Sequence, residues 1–102
     1  MDQLNFSTNW NNKLDCTAFT TLRLPNEKYK LGELFQITLN GVEKGIGRII
    51  SITYINIDNI NEYIARLDTG YSTDECKVII RNIYPTIDFT QQPLVLLLIG
   101  KI

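Results

Sequence analysis

Residues Leu34 to Ile55 read LFQITLNGVEKGIGRIISITYI, and the reading of this stretch decides the fold class. Leu34 to Leu39 alternates apolar and polar side chains as a half-buried strand does. Asn40-Gly41 follows, a pair that accepts the left-handed backbone of a tight hairpin turn. The returning partner is short, Val42-Glu43-Lys44. Gly45 and Gly47 then bracket the start of a long β-branched strand, Arg48 to Ile55. Glycines at such a corner suit a bulge or a bend, so the stretch predicts a curled sheet rather than a flat one.

Upstream, Phe19 to Leu24 is rich in β-branched and aromatic residues and stops at Pro25, which predicts another strand. Leu4-Asn5-Phe6 is long enough to open a short one. The polar run Ser7 to Asn12, with Trp10 and Leu14 beside it, suits a short irregular helix, and Asn26 to Gly32 forms a loop carrying Lys28, Tyr29 and Lys30. Downstream, two helices are expected. Asp58 is a plausible cap for the first, with Ile60, Ile64 and Leu67 on one face and Gly70 just beyond its end. Ser72-Thr73-Asp74-Glu75 is a capping box for the second; Cys76, Ile79, Ile80 and Ile83 recur at helical spacing, and Pro85 stops it. A last strand or hairpin is expected from about Ile87 to Ile99. The fold class is therefore α+β, a small curled β-barrel with flanking helices.

No repeat or low-complexity tract divides the chain, and 102 residues make a single domain. The hydrophobic fraction of 44% against a charged fraction of 21% supports a packed core rather than disorder. Ten basic and eleven acidic side chains leave a net charge of −1. That balance disfavours a protein held to long duplexes by phosphate neutralisation. Cys16 and Cys76 form no CxxC pair and, with no signal peptide in view, are expected to be reduced, mostly buried thiols in a cytoplasmic protein. The run Leu94 to Ile99 falls far short of the roughly 20 apolar residues a membrane helix needs and is expected to be a buried strand, with no membrane partner.

The chain has no histidine, which removes Ser-His-Asp and Cys-His catalysis and histidine-based metal sites. No metal and no cofactor is expected. Gly45-Ile46-Gly47 lacks the third glycine and the strand-turn-helix setting of a dinucleotide fingerprint. What remains is Thr20, Thr21 and Arg23 on a strand that runs into a loop bearing Lys28 and Lys30. An arginine fork beside a hydroxyl can grip a phosphate or carboxylate; the plain structural alternative pairs Arg23 with Glu33 or Asp68. Asp68-Thr69-Gly70-Tyr71 is either a ligand-facing carboxylate and aromatic, or a helix exit with a packed tyrosine. Trp10 is most simply a core anchor, and Tyr29 and Tyr54 are amphipathic surface side chains unless they stack bases.

Taken together, Phe6 with Lys13-Leu14, Thr21-Leu22-Arg23, Tyr29-Lys30-Leu31-Gly32-Glu33, Gly45 to Ile52, Asp68 with Gly70-Tyr71, Glu75, and Ile83-Tyr84-Pro85 resemble the ASCH group of PUA-like domains, over about Leu4 to Ile99. The resemblance implies a small curled barrel with flanking helices and a cleft used around RNA and modified nucleosides. Some small bacterial members of the group are amidohydrolases that deacetylate acetylcytidine with a lysine, a threonine and a glutamate. Carried over, the threonine falls on Thr21 and the arginine that follows it on Arg23. The lysine position falls on Ala18, the glycine before it on Cys16, and the glutamate near Thr69, with Asp68 the closest carboxylate. Alanine can neither give nor take a proton, so the same hydrolysis is not expected from that position. Lys13 and Lys28 are the nearest lysines that another element could bring to the same point.

The leading expectation is a binding module that takes RNA, a nucleotide or a modified nucleoside in its cleft. Thr21, Arg23, Asp68 and Tyr71 would line the cleft, with Lys28 and Lys30 at the rim to meet phosphates. An amidohydrolase acting on an acetylated or otherwise modified nucleoside is the enzymatic alternative, with Thr21 and Asp68 as the groups nearest to catalytic ones. A protein-interaction module with a vestigial cleft is the third.

Overall fold

The computed structural model describes all 102 residues. Five strands form one mixed sheet in the order β1-β3-β4-β5-β2: β1 Gln3–Phe6, β2 Ala18–Arg23, β3 Leu34–Leu39, β4 Val42–Ile55 and β5 Leu94–Lys101. Only β1 and β3 run parallel; the other neighbours are antiparallel. The sheet curls into a half-barrel whose two edge strands are β1 and β2.

The curl has a local cause in β4. The hairpin turn at Asn40-Gly41 has positive φ at both residues, as that dipeptide predicts. The short partner and the long strand are then one continuous strand rather than two, interrupted by bulges. Lys44 stands unpaired where Thr38 opposes Glu43 and Ile37 opposes Gly45. Ile50 stands unpaired where Ile99 opposes Ile49 and Leu98 opposes Ser51. Each extra residue bends its strand and increases the twist. Gly47 is needed for close packing: a Cβ there would lie 2.5 Å from Ile99 Cγ2.

β5 explains why Leu94 to Ile99 is apolar throughout. Val95, Leu97 and Ile99 point into the half-barrel core with Leu4, Leu14, Phe19, Phe35, Ile37 and Ile49. Leu94 and, less deeply, Leu96 face a second core shared with Leu22, Ile57, Ile60, Ala65, Cys76, Ile80 and Phe89 under the helices. A strand covered on both faces loses the polar alternation that a half-exposed strand keeps. No hairpin forms with Ile87; residues 84–93 are turns, held in part by Asp88, which accepts bonds from the Thr90 amide and hydroxyl.

The helices are α1, Glu62–Thr69, and α2, Thr73–Ile83. The capping box of α2 forms as expected, with Ser72 and Glu75 bonded reciprocally. Gly70 ends α1 at φ +81 in the left-handed conformation. The start of α1 differs from expectation. Asp58 lies in a 3₁₀ turn, Ile57–Asn59, and the cap is Asn61, whose Oδ1 accepts from the Ile64 amide at 2.9 Å. The later start rotates the buried face to Ala65, Asp68 and Thr69, leaving Leu67 exposed. Ile83, also expected inside, is exposed at the end of α2.

The segment between β1 and β2 folds as two short 3₁₀ turns, Trp10–Asp15, joined at a kink where Asn11 and Asn12 both have positive φ. Asparagine tolerates that conformation better than other residues with a β-carbon. Two further bonds fix the segment. The Leu14 amide donates to Asn9 Oδ1 at 2.9 Å, and the Lys101 ammonium donates to the Leu14 carbonyl. Lys13 and Leu14, immediately after the kink, are both buried. Cys16, expected to be buried, is exposed because the chain surfaces there before entering β2, whereas Cys76 is fully enclosed on the buried face of α2. No helix is long and apolar enough to cross a membrane.

Candidate ligand-binding cavity

A cavity of about 100 Å³ opens where the edge strands of the half-barrel meet the helix pair. Three elements bring its charged side chains and a buried hydroxyl together: Lys13 from the kinked 3₁₀ segment, Thr21 and Arg23 from β2, and Asp68 from α1. Asn5, Ser7, Thr8 and Thr69 add further polar lining. Trp10, Ile79 and Tyr84 supply much of its apolar wall.

β2 gives the site its two-sidedness. Successive side chains leave a strand on opposite faces. Phe19 and Thr21 thus point to the barrel side, and Thr20 and Leu22 to the helix side, where the Thr20 hydroxyl donates to Asp68 Oδ1 at 3.2 Å. The same oxygen accepts from Lys13 Nζ at 3.1 Å, across a sequence gap of 55 residues. Both partners are buried, Lys13 at 4% and Asp68 at 6% exposure. Asp68 Oδ2 takes no bond from the protein, yet no fully buried polar atom lacks a partner, so that oxygen keeps some accessible surface. The ammonium of Lys13 likewise keeps donors beyond the one given to Asp68.

Arg23 pairs with neither Glu33 nor Asp68. Its Nε donates to Thr21 Oγ1 at 3.2 Å, and its Nη2 donates to the Asn5 carbonyl at 2.8 Å. The guanidinium also lies over the Phe6 ring, 4.6 Å from its centroid, with the Lys13 ammonium 5.6 Å from the same centroid. Arg23 therefore latches β2 to β1 across the open seam of the half-barrel. Its Nη1 group gives no bond to the protein. The Thr21 hydroxyl, accepting from Arg23, still has its own proton to give.

Burial pushes the Lys13 ammonium below its ordinary range; the Asp68 carboxylate opposes that shift, and the nearby Arg23 charge adds to it. Burial also raises the Cys76 thiol, with the Asp68 charge acting the same way, which keeps it protonated and a poor nucleophile. Burial raises the Tyr84 phenol as well. No group of three or more Cys, Asp or Glu side chains gathers to hold a metal ion.

Thr21, Arg23 and Asp68 are thus brought together. Tyr71 lines a neighbouring groove instead, its ring edge-on to Trp10 with centroids 6.0 Å apart. Trp10 is half-buried on the wall between the two. Lys28 lies elsewhere on the surface, 3.4 Å from Asp2, and Lys30 is exposed in the same loop; neither borders the cavity. Tyr29 packs against Phe35 and Tyr54 is exposed. Ala18 is exposed at the start of β2 and is not part of the lining. The residue that sequence reading undervalued is Lys13. Its polar surroundings, Asn11-Asn12 before and Asp15 after, look like surface, and only the following Leu14 hints at burial. No family model, curated protein or solved structure matches the chain.

Proposed function

We propose that the cavity binds the base of a nucleoside, a nucleotide or a short single-stranded RNA, in a PUA-like domain of the ASCH type. One observation carries the reading: Lys13, Thr21, Arg23 and Asp68 converge from three elements on one small cavity with hydrogen-bonding capacity left over. A nucleobase edge alternates donors and acceptors. Asp68 Oδ2 would accept an exocyclic amino N–H, and the free Arg23 and Lys13 donors would meet a carbonyl or a phosphate. The Trp10 face offers stacking area. The small volume and the net charge of −1 favour one base over a long duplex.

A thermal-shift screen against nucleosides, modified nucleosides, nucleotides and short RNA tests this. A ligand at 100 times its Kd adds about 2.7 kcal/mol, several degrees for a domain of this size. The shift should vanish in Thr21→Val and Lys13→Met variants that retain the fold. Absence of a shift with every compound defeats the proposal and turns attention to a protein partner.

A second reading, amide hydrolysis, is favoured by the position of Lys13. It supplies from the 3₁₀ segment the lysine that Ala18 cannot, beside Thr21 and Asp68. A lysine whose ammonium is disfavoured by burial can act as a base. It would take the proton of the Thr21 hydroxyl, or of a water, as that oxygen attacks an amide carbonyl, and the leaving amine receives the proton. Where Thr21 attacks, it keeps the acetyl group as an ester, which a water then hydrolyses to acetate and the free hydroxyl. Chromatography of acetylated nucleosides incubated with the protein should show the free amine and acetate, and no product with Thr21→Val. Binding without any turnover leaves the first reading standing alone.

A further inference from the structure

Beside the cavity lies a second groove, about 440 Å³, lined by Trp10, Tyr71, Asp74, Glu75, Val78 and Ile79. Its composition is unlike the cavity's. The Trp10 and Tyr71 rings meet at 79°, forming a corner of two aromatic walls. Val78, 55% exposed, and Ile79 supply aliphatic surface. The only charged groups in the lining are two carboxylates, with no lysine or arginine among them. Glu75 is partly committed to the capping box, while the Asp74 side chain makes no hydrogen bond and no ion pair.

We propose that this groove is a binding site for a small-molecule alkylammonium group, a cation clothed in methyl or methylene groups. In a corner of two rings a cation meets their negative π faces rather than their positive edges, and the aliphatic surface covers its carbon shell. A hydrated ammonium or metal ion would lose water here without oxygen ligands to replace it; an alkylated cation has little water to lose. The two carboxylates set the sign of the charge and oppose an anionic ligand. The partial positive charge at the start of α2 is outweighed by Asp74 and Glu75, which sit in its first turn. The groove is open and shares the Trp10 and Ile79 walls with the cavity. The proposal does not depend on what fills the cavity.

Trp10 is the only tryptophan in the chain and borders both the groove and the cavity, so its fluorescence reports binding at either, and the Tyr71 and Asp74 variants, which line only the groove, assign the response. The experiment titrates the full chain with choline and, separately, with 3,3-dimethylbutan-1-ol, the uncharged carbon isostere, against sodium chloride at equal ionic strength. Choline should give a saturable change, with the isostere at least about tenfold weaker. Asp74→Asn should weaken choline several-fold and Tyr71→Ala should remove the response, while Tyr71→Phe keeps it; melting curves confirm that each variant is folded. Equal responses to the two probes would mean an uncharged apolar groove and overturn the proposal, as would no response to choline beyond the salt control. A response to phosphatidylcholine vesicles without one to free choline would also overturn it, since the partner would then be a membrane surface. Nucleoside binding in the same preparation is scored separately, so either result can fail alone.

Discussion

Helix α1 carries two ion pairs of nearly equal length in opposite surroundings. On its outer face Arg66 Nε lies 3.2 Å from Glu62 Oε2, with side chains 58% and 61% exposed. On its inner face Asp68 Oδ1 lies 3.1 Å from Lys13 Nζ, with side chains 8% and 5% exposed. The outer pair spans four residues of one helix, and water screens it. The inner pair bridges 55 residues and has been taken out of water. The cost of desolvating two charges consumes most of what their attraction returns, so such a pair is a poor way to gain stability. It does hold two reactive groups at fixed positions in a small cavity. The inner face of α1 therefore carries the candidate site, and the outer face a solvated ion pair.

Removing one partner of the inner pair should have the largest effect. Asp68→Ala leaves Lys13 buried without its counter-charge and should cost about 3–5 kcal/mol in chemical denaturation. The double variant Lys13→Met/Asp68→Leu removes both charges and should recover most of that loss, while ligand binding does not return. A double variant as unstable as Asp68→Ala would mean that the pair holds the fold, and the contrast between the two faces would collapse.

The pH dependence of stability sharpens the same contrast. Lys13 has a folded pKa held below its unfolded value of 10.5. Between the two values the unfolded chain binds more protons, so this group's contribution to stability rises with pH across that window. The melting temperature of the wild type relative to Lys13→Met should therefore rise as pH climbs toward 10.5. Taking the difference removes the opposing alkaline loss from Cys76 and Tyr84, whose folded values are raised. A difference that stays flat with pH would mean that Lys13 is not desolvated as its burial implies.

The outer pair should respond least. Arg66→Gln should leave the midpoint nearly unchanged, and any loss should shrink as salt is added. Glu62 also accepts from the Thr73 amide at 2.9 Å, tying α1 to the start of α2. Glu62→Gln, which keeps an acceptor oxygen, should therefore be milder than Glu62→Ala. Salt should not reduce the cost of Asp68→Ala by a comparable share, because a pair this buried is screened far less than an exposed one.

The site was legible in pieces. Thr21, Arg23 and Asp68 could be singled out because a fork-shaped cation, a strand hydroxyl and a carboxylate at a helix end are chemically conspicuous. Lys28 and Lys30 shared the chemistry but belong to a loop that leaves the barrel elsewhere. Lys13 lay hidden in a polar run, because its burial follows from the left-handed kink at Asn11-Asn12 and from the closing of α1 over β2. The role of Arg23 as a latch could not be read either, since its main partner is a backbone carbonyl of Asn5, and every residue has one.

By itself the sequence determined what depends on neighbours along the chain. The Asn40-Gly41 turn, the Ser72–Glu75 capping box, the left-handed stop at Gly70 and the doubly buried run of β5 each rest on local backbone preference or on the period of apolar residues. Only the tertiary structure decided the bulges at Lys44 and Ile50, the late start of α1, and the meeting of Lys13 with Asp68. These depend on register and on packing between segments far apart in the chain. A shift of one residue in a strand, or of a fraction of a turn in a helix, sends a side chain to the opposite face. Local propensity is almost indifferent to that choice, whereas burial of the two cores settles it.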